Sequence, residues 1–336
     1  MSRAKKAPTG LPVSDPAYIA PQQIVDLFKL AFDNELYRDP DELSSMIQEV
    51  KKSLYDRQYL DAFDNNEKRS AYCCRWSPSR AVAYAALFNY LRPVRATLLR
   101  PLTNSSPVTA EELHVAHSDT SEFSPEIMCI GGGAGGELVA LAALFAPSLD
   151  FRSKYSTIKS TKSSKAANVR IIDIADWDNV VTRLAGAIRE RWLYDLSDQF
   201  AITFQRADIL RQDATQMSYS KLDLITLLFT TNELFQEDKG ASIRFLQTLN
   251  QHCKTGCLLL IVESAGSYSH IEIGTKKFPI HFLVDTILTG KRGDAKSGMW
   301  ELVDQNDSFW YRNDDRIDYP LKLENMRFFY RLYRKR

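Results

Sequence analysis

Apolar residues recur at helical spacing early in the chain. Ile24, Leu27, Phe28, Leu30 and Ala31 follow Pro21, a residue suited to the first turn of a helix. Leu43, Met46, Ile47, Val50 and Leu54 follow Asp41 on a second amphipathic face, and Ser77-Pro78-Ser79 reads as the cap of a third helix from Arg80 to about Leu91. No strand pattern interrupts this front third. Residues 1–20 are rich in proline, glycine and small side chains and predict a loose tail.

The pattern changes near Ser124-Pro125. Ile127-Met128-Cys129-Ile130 is a short apolar run bounded by proline and glycine, and residues 137–145 form an uninterrupted helix-forming stretch that stops at Pro147. Strand, glycine turn and helix thus follow one another as a βαβ unit requires. Residues 150–168 are polar, with Arg152, Lys154, Lys159, Lys162 and Lys165 among serines and threonines, and predict a flexible surface insertion. The alternation then resumes: strand 169–174, helix 180–192, strand 201–205, apolar run 222–229, helix 241–252 and strand 257–263. Such alternation implies a parallel sheet covered on both faces. Residues 308–311 and 326–333 are aromatic-rich strand candidates with no helix between them, which predicts an antiparallel edge closing the sheet. The expected organisation is a tail (1–20), a helical region (21–123) and a doubly wound α/β domain (124–336).

Composition narrows the classes. The 336 residues are 44% hydrophobic and 11% aromatic, enough for one large α/β domain with a smaller helical attachment. The formal net charge is +1, so coating nucleic acid by overall charge is excluded and any such contact needs local patches. Five cysteines, Cys73, Cys74, Cys129, Cys253 and Cys257, lack zinc-type pairs and suit a reducing compartment. His114 and His117 have no further ligand cluster beside them, so no metal is expected. The start carries Lys5 and Lys6 but no apolar run behind them, and neither a signal peptide nor a membrane anchor is expected.

Gly131-Gly132-Gly133-Ala134-Gly135-Gly136 follows a strand and opens a helix, where glycines admit a ligand to the backbone and the helix N-terminus offers amide donors. Gly131, Gly133 and Gly136 satisfy the GxGxxG spacing of NAD sites, and Gly131, Gly133 and Gly135 the GxGxG spacing of methyltransferases. The turn alone does not choose. Asp173 stands at the end of the second strand, where an acid would bind ribose hydroxyls; Asp176 and Asp178 are rivals, and a helix-capping role is the plainer alternative. Asp208, just past the third strand, is placed to accept from an adenine amino group or to cap. After the fourth strand comes Phe229-Thr230-Thr231-Asn232-Glu233-Leu234-Phe235, at the sheet edge where α/β folds place ligands. Asn232 and Glu233 are candidates to orient a planar base and take its proton, or they simply begin a helix. No Ser-His-Asp ordering, activated cysteine or kinase-type lysine is visible. Methyl transfer needs none, since in-line displacement from a sulfonium depends largely on positioning.

Together these segments resemble a fungal family of S-adenosylmethionine-dependent methyltransferases that includes the base methyltransferase for a uridine N3 in large-subunit ribosomal RNA. The resemblance rests on Arg75-Trp76-Ser77-Pro78-Ser79-Arg80-Ala81 with Tyr84, on residues 130–138, on Asp173-Ile174-Ala175-Asp176-Trp177, on residues 230–234 and on Phe328-Phe329-Tyr330-Arg331-Leu332-Tyr333. It implies a class I, Rossmann-like fold with a mostly parallel seven-stranded sheet. It also implies S-adenosyl-L-methionine as cofactor at Gly131, Gly133, Gly135, Asp173, Asp208 and Thr230, and uridine N3 methylation in ribosomal RNA or a pre-ribosomal particle. The chain departs from many class I enzymes at Cys129, where those carry an acid two residues before the first glycine.

An RNA-binding role for the helical front would draw on Arg75, Trp76, Arg80 and Tyr84, with Arg92, Arg95, Arg100 and the basic C-terminus adding charge. Arginines meet phosphates and aromatics stack on unpaired bases. Nucleus and cytoplasm are the expected locations. Three other readings stay open: a protein or small-molecule methyltransferase, an NAD-dependent dehydrogenase, and a cofactor-binding ribosome assembly factor without turnover.

Overall fold

The computed structural model describes residues 10–99, 124–149, 165–266, 270–273, 276–290 and 297–336. Seven strands form one sheet: β1 (Glu126–Ile130), β2 (Ala167–Asp173), β3 (Phe200–Arg206), β4 (Leu224–Leu228), β5 (Leu258–Ser264), β8 (Trp300–Tyr311) and β9 (Met326–Lys335). The hairpin β6 (His270–Ile273) and β7 (Lys276–Pro279) stands apart from it. The sheet order is β3-β2-β1-β4-β5-β9-β8. β1 to β5 pair in parallel, whereas β9 runs antiparallel to both β5 and β8. The order reverses between β1 and β4, and at such a switch point the strand ends leave a crevice for a ligand.

Burial follows the two-residue period of the strands. On β1, Ile127 and Cys129 join one core, and Met128 and Ile130 the other; β5 divides Leu258, Leu260 and Val262 from Leu259 and Ile261 in the same way. One face is covered by α1 (Pro21–Ala31), α2 (Asp33–Tyr37), α3 (Pro40–Tyr55), α4 (Tyr59–Ala62), α5 (Asn66–Tyr90) and α6 (Arg92–Leu98), together with α7 (Gly136–Phe145) and α8 (Asp178–Ile188). The other is covered chiefly by α9 (Thr231–Glu237), α10 (Lys239–His252) and α11 (Ile280–Thr289). Every residue of α7 is buried, because α5 packs on its outer side. A helix enclosed on all sides has no need of a polar stripe, as its sequence shows. The helical front and the sheet therefore share one core.

Two expectations are corrected. Ser77-Pro78-Ser79 does not start a helix: α5 begins at Asn66, capped by the Asn65 side chain, which accepts from Lys68 N at 2.8 Å, and runs through Pro78. A proline within a helix leaves the carbonyl four residues earlier without its donor. Here that carbonyl, Cys74 O, accepts from the Tyr319 hydroxyl at 2.7 Å. The flanking serines serve tertiary contacts instead, Ser77 Oγ donating to Ala134 O at 2.7 Å and Ser79 Oγ accepting from Glu324 N at 3.0 Å. Residues 10–20 are not a loose tail. Leu11 N donates to Trp310 O at 2.8 Å and Ile19 N to Ala143 O at 2.9 Å, and Leu11 and Tyr18 are buried. The hairpin and α11, between β5 and β8, had no counterpart in the sequence reading. Residues 150–164 of the expected insertion, His114, His117 and Arg100 lie outside the described residues, whereas Ala167 and Asn168, read as insertion, already belong to β2.

Candidate cofactor and acceptor cleft

A cleft enclosing about 960 Å³, its open mouth included, lies at the carboxyl ends of β1, β2, β3 and β4. Its floor is the glycine turn. Gly131 holds φ +73°, and a Cβ there would stand 2.3 Å from Thr230 Oγ1. Gly133 donates its N–H to Asp173 Oδ2 at 3.0 Å, and a Cβ on it would fall 2.0 Å from Trp177 Cδ1. Glycine is thus required once by conformation and once by close approach. Gly135 faces away from the cleft, toward Leu184 of α8.

Asp173 receives a second N–H, from Ala175 at 3.1 Å, so both carboxylate oxygens are held in a fixed orientation. Burial pushes its pKa up to about 6 against the opposing pull of those N–H groups. The Trp177 Nε1–H is directed toward the same carboxylate without closing a well-formed hydrogen bond, and the indole packs against Phe63 and Tyr72. Asp208 lines the cleft and also caps the short turn after β3, accepting from Leu210 N at 3.0 Å and pairing with Arg211. The capping role is thus observed, and the side chain also stands on the cleft wall.

Glu233 of α9 lines the opposite wall beside Thr230 and Phe229. Burial, then the negative charges of Asp173 and Glu263, raise its pKa to about 8. Glu263, at the end of β5, is buried and accepts from Asn232 N at 3.0 Å and Ser264 N at 3.1 Å; burial raises it to about 7. Asn232 is half-buried and does not line the cleft. Phe229 holds φ +62°, a strained conformation for a side chain of that size that stores about 1–3 kcal/mol at the end of β4.

A buried acid does lie close to residue 129. Glu137, in the first turn of α7, is buried beneath the glycine turn and accepts from Thr226 Oγ1 at 2.8 Å. A Cβ on Gly132 would lie 3.0 Å from both Cys129 Cβ and Glu137 Oε2. Burial raises Glu137 to about 7. A β1-end pattern alone could not reveal it; the charged residue within the otherwise apolar run Gly-Glu-Leu-Val-Ala-Leu-Ala-Ala-Leu-Phe was the available signal.

The four residues expected on an RNA platform do not share one exposed surface. Arg75 donates to Lys322 O at 2.8 Å and pairs with Glu324, fastening the C-terminal loop. Trp76 is half-buried against Tyr72, with ring centroids 4.9 Å apart. Tyr84 is buried and touches Gly136. Arg80 points into the cleft, 5.2 Å from the Phe229 ring and 5.4 Å from the Tyr72 ring. Closeness in sequence grouped them but could not foresee that α7 would pack against α5. Sequence reasoning also missed Trp177, Tyr59, Leu60 and Phe63 as cleft residues.

A family model described as "Putative SAM-dependent methyltransferase" matches residues 28–334. The chain belongs to this family. The methyltransferase is 48% identical over 340 residues to the 25S rRNA (uridine(2843)-N(3))-methyltransferase of Saccharomyces cerevisiae, covering 97% of this chain and 88% of that protein. Among solved structures, an O-methyltransferase family protein from Burkholderia thailandensis aligns with TM-score 0.38 and 12% identity, covering 86% of this chain and 71% of that one. The N-methyltransferase NodS from Bradyrhizobium japonicum, in complex with S-adenosyl-l-homocysteine, aligns with TM-score 0.36 and 12% identity, covering 86% and 98%. Alignments this loose carry no argument, and the fold stands on its own strand order. Family membership makes S-adenosylmethionine the cofactor and removes the dehydrogenase reading. Among the described residues, no group of three or more His, Cys, Asp or Glu side chains is placed to hold a metal ion, and no helix is long and apolar enough to cross a membrane.

The cleft fits that cofactor chemically. It offers a fixed carboxylate at the end of β2 for vicinal hydroxyls, an acceptor at Asp208, apolar walls from Ile174, Ile209 and Leu210, and a glycine floor that lets a ligand approach the backbone.

Proposed function

We propose that this methyltransferase modifies N3 of a uridine in large-subunit ribosomal RNA, as free RNA or within a precursor particle. The observation that carries this reading is the 48% identity to the yeast uridine-N3 enzyme across 97% of the chain, helical front included. Asp173 would hold the ribose hydroxyls of the cofactor and Asp208 the adenine amino group, with its amino-acid end lying over the glycine turn, where Gly131 N–H and Gly133 N–H are already engaged by Ile172 O and Asp173 Oδ2. When bound, the cofactor supplies an electrophilic methyl group.

Uridine N3 carries a proton that must leave before or as the methyl arrives. Glu233 is the proton acceptor in this proposal. A base whose pKa approaches that of the donor transfers protons most effectively at neutral pH, and about 8 brings Glu233 near an imide N–H. The geometry gives Asn232 no place on the cleft wall, so its part is to fix Glu263 through its backbone N–H, behind Glu233. Arg92 and Arg95 are exposed on α6 and are better placed than Arg75 or Tyr84 to meet RNA phosphates.

The test is nucleoside mass spectrometry of ribosomal RNA from cells with and without the gene. Loss of a 3-methyluridine, restored by the wild type, is the expected result; an unchanged profile moves the search to protein or small-molecule acceptors. In vitro, Glu233→Gln is expected to lower turnover on that RNA by on the order of 10²- to 10⁴-fold while leaving cofactor affinity within a few-fold. The base acts when ionised, so wild-type kcat/KM rises with pH through about 8, and the variant loses that limb. Equal rates in the two proteins would remove Glu233 from the mechanism.

A further inference from the structure

Arg80 is the single cation among the described residues lining the cleft, against four carboxylates, those of Asp173, Asp208, Glu233 and Glu237. The guanidinium is fixed between two rings, and its hydrogen bond goes to the Tyr72 hydroxyl. Burial pushes the Tyr72 phenol up, which keeps it neutral, so the bond orients the guanidinium without neutralising it. No carboxylate among the described residues closes an ion pair with Arg80. Four of its five N–H donors are therefore left for something that enters the cleft.

The neighbourhood narrows what that is. The Arg80 Cβ lies 3.4 Å from where a Cβ on Gly136 would stand, at the first residue of α7. The N-terminus of that ten-residue helix thus lies beside the root of the Arg80 side chain and adds positive partial charge to that side of the cleft. Asp173 and Asp208, which suit hydroxyl and amino donors, come from the ends of β2 and β3, whereas Arg80 sits over the α7 end of the glycine turn. A planar guanidinium fork matches a two-oxygen anion.

We propose that Arg80 is the anion-binding residue of the cleft and receives the carboxylate of the cofactor's amino-acid end. This rests on the cofactor class alone, so it survives or fails independently of the ribosomal RNA reading. It reassigns Arg80 from RNA contact to cofactor capture. It also accounts for the aromatic sandwich, since Phe229 and Tyr72 fix the fork in advance of binding.

The experiment is calorimetric titration of the full chain with S-adenosylhomocysteine and with its decarboxylated analogue. Wild type is expected to prefer the carboxylate-bearing ligand by about 10- to 100-fold. Arg80→Met is expected to bring the two affinities within about threefold. The ratio within each protein cancels general damage to the cleft. Should Arg80→Met fail to fold by circular dichroism, Arg80→Lys decides, keeping the charge but not the fork; its ratio is expected to drop at least about threefold. Equal affinities in wild type overturn the proposal, as does a wild-type ratio in the folded variant. An Arg80 variant with unchanged ligand affinities but lost turnover would assign the guanidinium to an ionised acceptor base, and likewise overturns it.

Discussion

The carboxyl-end cleft and the antiparallel β8–β9 edge both bury charge, and they treat it in opposite ways. At the edge, Arg331 is 2% exposed and ion-paired within the chain, donating to Asp307 Oδ1 at 2.5 Å and Tyr330 O at 3.0 Å, with Asp285 3.6 Å from an Nε that closes no hydrogen bond. Asp285 in turn accepts from the Tyr333 hydroxyl at 2.6 Å. In the cleft and directly behind it, Asp173, Glu233 and Glu263 are buried with Arg80 as the one cation among the described lining residues, and burial raises all three pKa values. Charges that serve only the fold are matched within the chain. Charges left unmatched in a concave site are matched by a ligand, and perturbed titration there marks function.

The largest effect expected from breaking this contrast is at the edge. Arg331→Met removes the buried cation between Asp285 of α11 and Asp307 of β8; both carboxylates keep access to solvent, Asp307 most of all, so the loss is that of the hydrogen bonds of one charged group, about 1.5–3 kcal/mol. Chemical denaturation should register that loss, while affinity for S-adenosylhomocysteine in the surviving folded protein stays within about twofold. A large fall in affinity would show that the two regions are coupled.

Asp173→Asn is the matching test in the cleft. The amide oxygen can still accept from Gly133 N, so the turn is preserved, but the second charged acceptor is gone. Cofactor affinity should fall by on the order of 10- to 100-fold, the worth of hydrogen bonds to a charged group, with a midpoint of denaturation near wild type. A stability loss as large as that of Arg331→Met would make Asp173 a structural acid like those at the edge.

The same division explains what was legible in the sequence. The sheet was readable because β1, β4 and β5 are apolar on both faces and each ends at a turn signal, and the aromatic run of residues 326–333 announced the closing edge. The glycine turn, Asp173, Asp208, Thr230 and Glu233 were readable because ligand sites follow strand ends, a local feature. Arg80 and Trp177 were not, because their places depend on how α5 packs over the glycine turn and α7, a contact 61 residues apart at Cys73 and Ala134. Helix α5 itself was misjudged at its start. Pro78 looks like a boundary until Tyr319, from far along the chain, satisfies the carbonyl it orphans.

Glu137 gives the smallest and sharpest test. It belongs to neither group cleanly: buried like Arg331, yet raised to about 7 like the cleft acids, with Oε1 lacking a partner among the described residues. A carboxyl whose folded pKa exceeds its ordinary 4.5 holds its proton more tightly when folded. Between those values the folded state binds more protons than the unfolded one, so stability is full below about pH 4.5 and is lost as pH rises through about 7. Glu233 and Glu263 act in the same sense, extending the window to about 8. The ligand-free melting temperature should therefore decline from pH 5 to pH 8, after allowance for general acid effects seen in other carboxylates. Glu137→Gln, which keeps the shape and an acceptor for Thr226, should flatten that decline by a few degrees and leave stability at pH 5 nearly unchanged. A variant with the wild-type slope would mean that Glu137 is ionised throughout, and a buried, singly bonded carboxylate beneath the turn would then need a cation that the described residues do not provide.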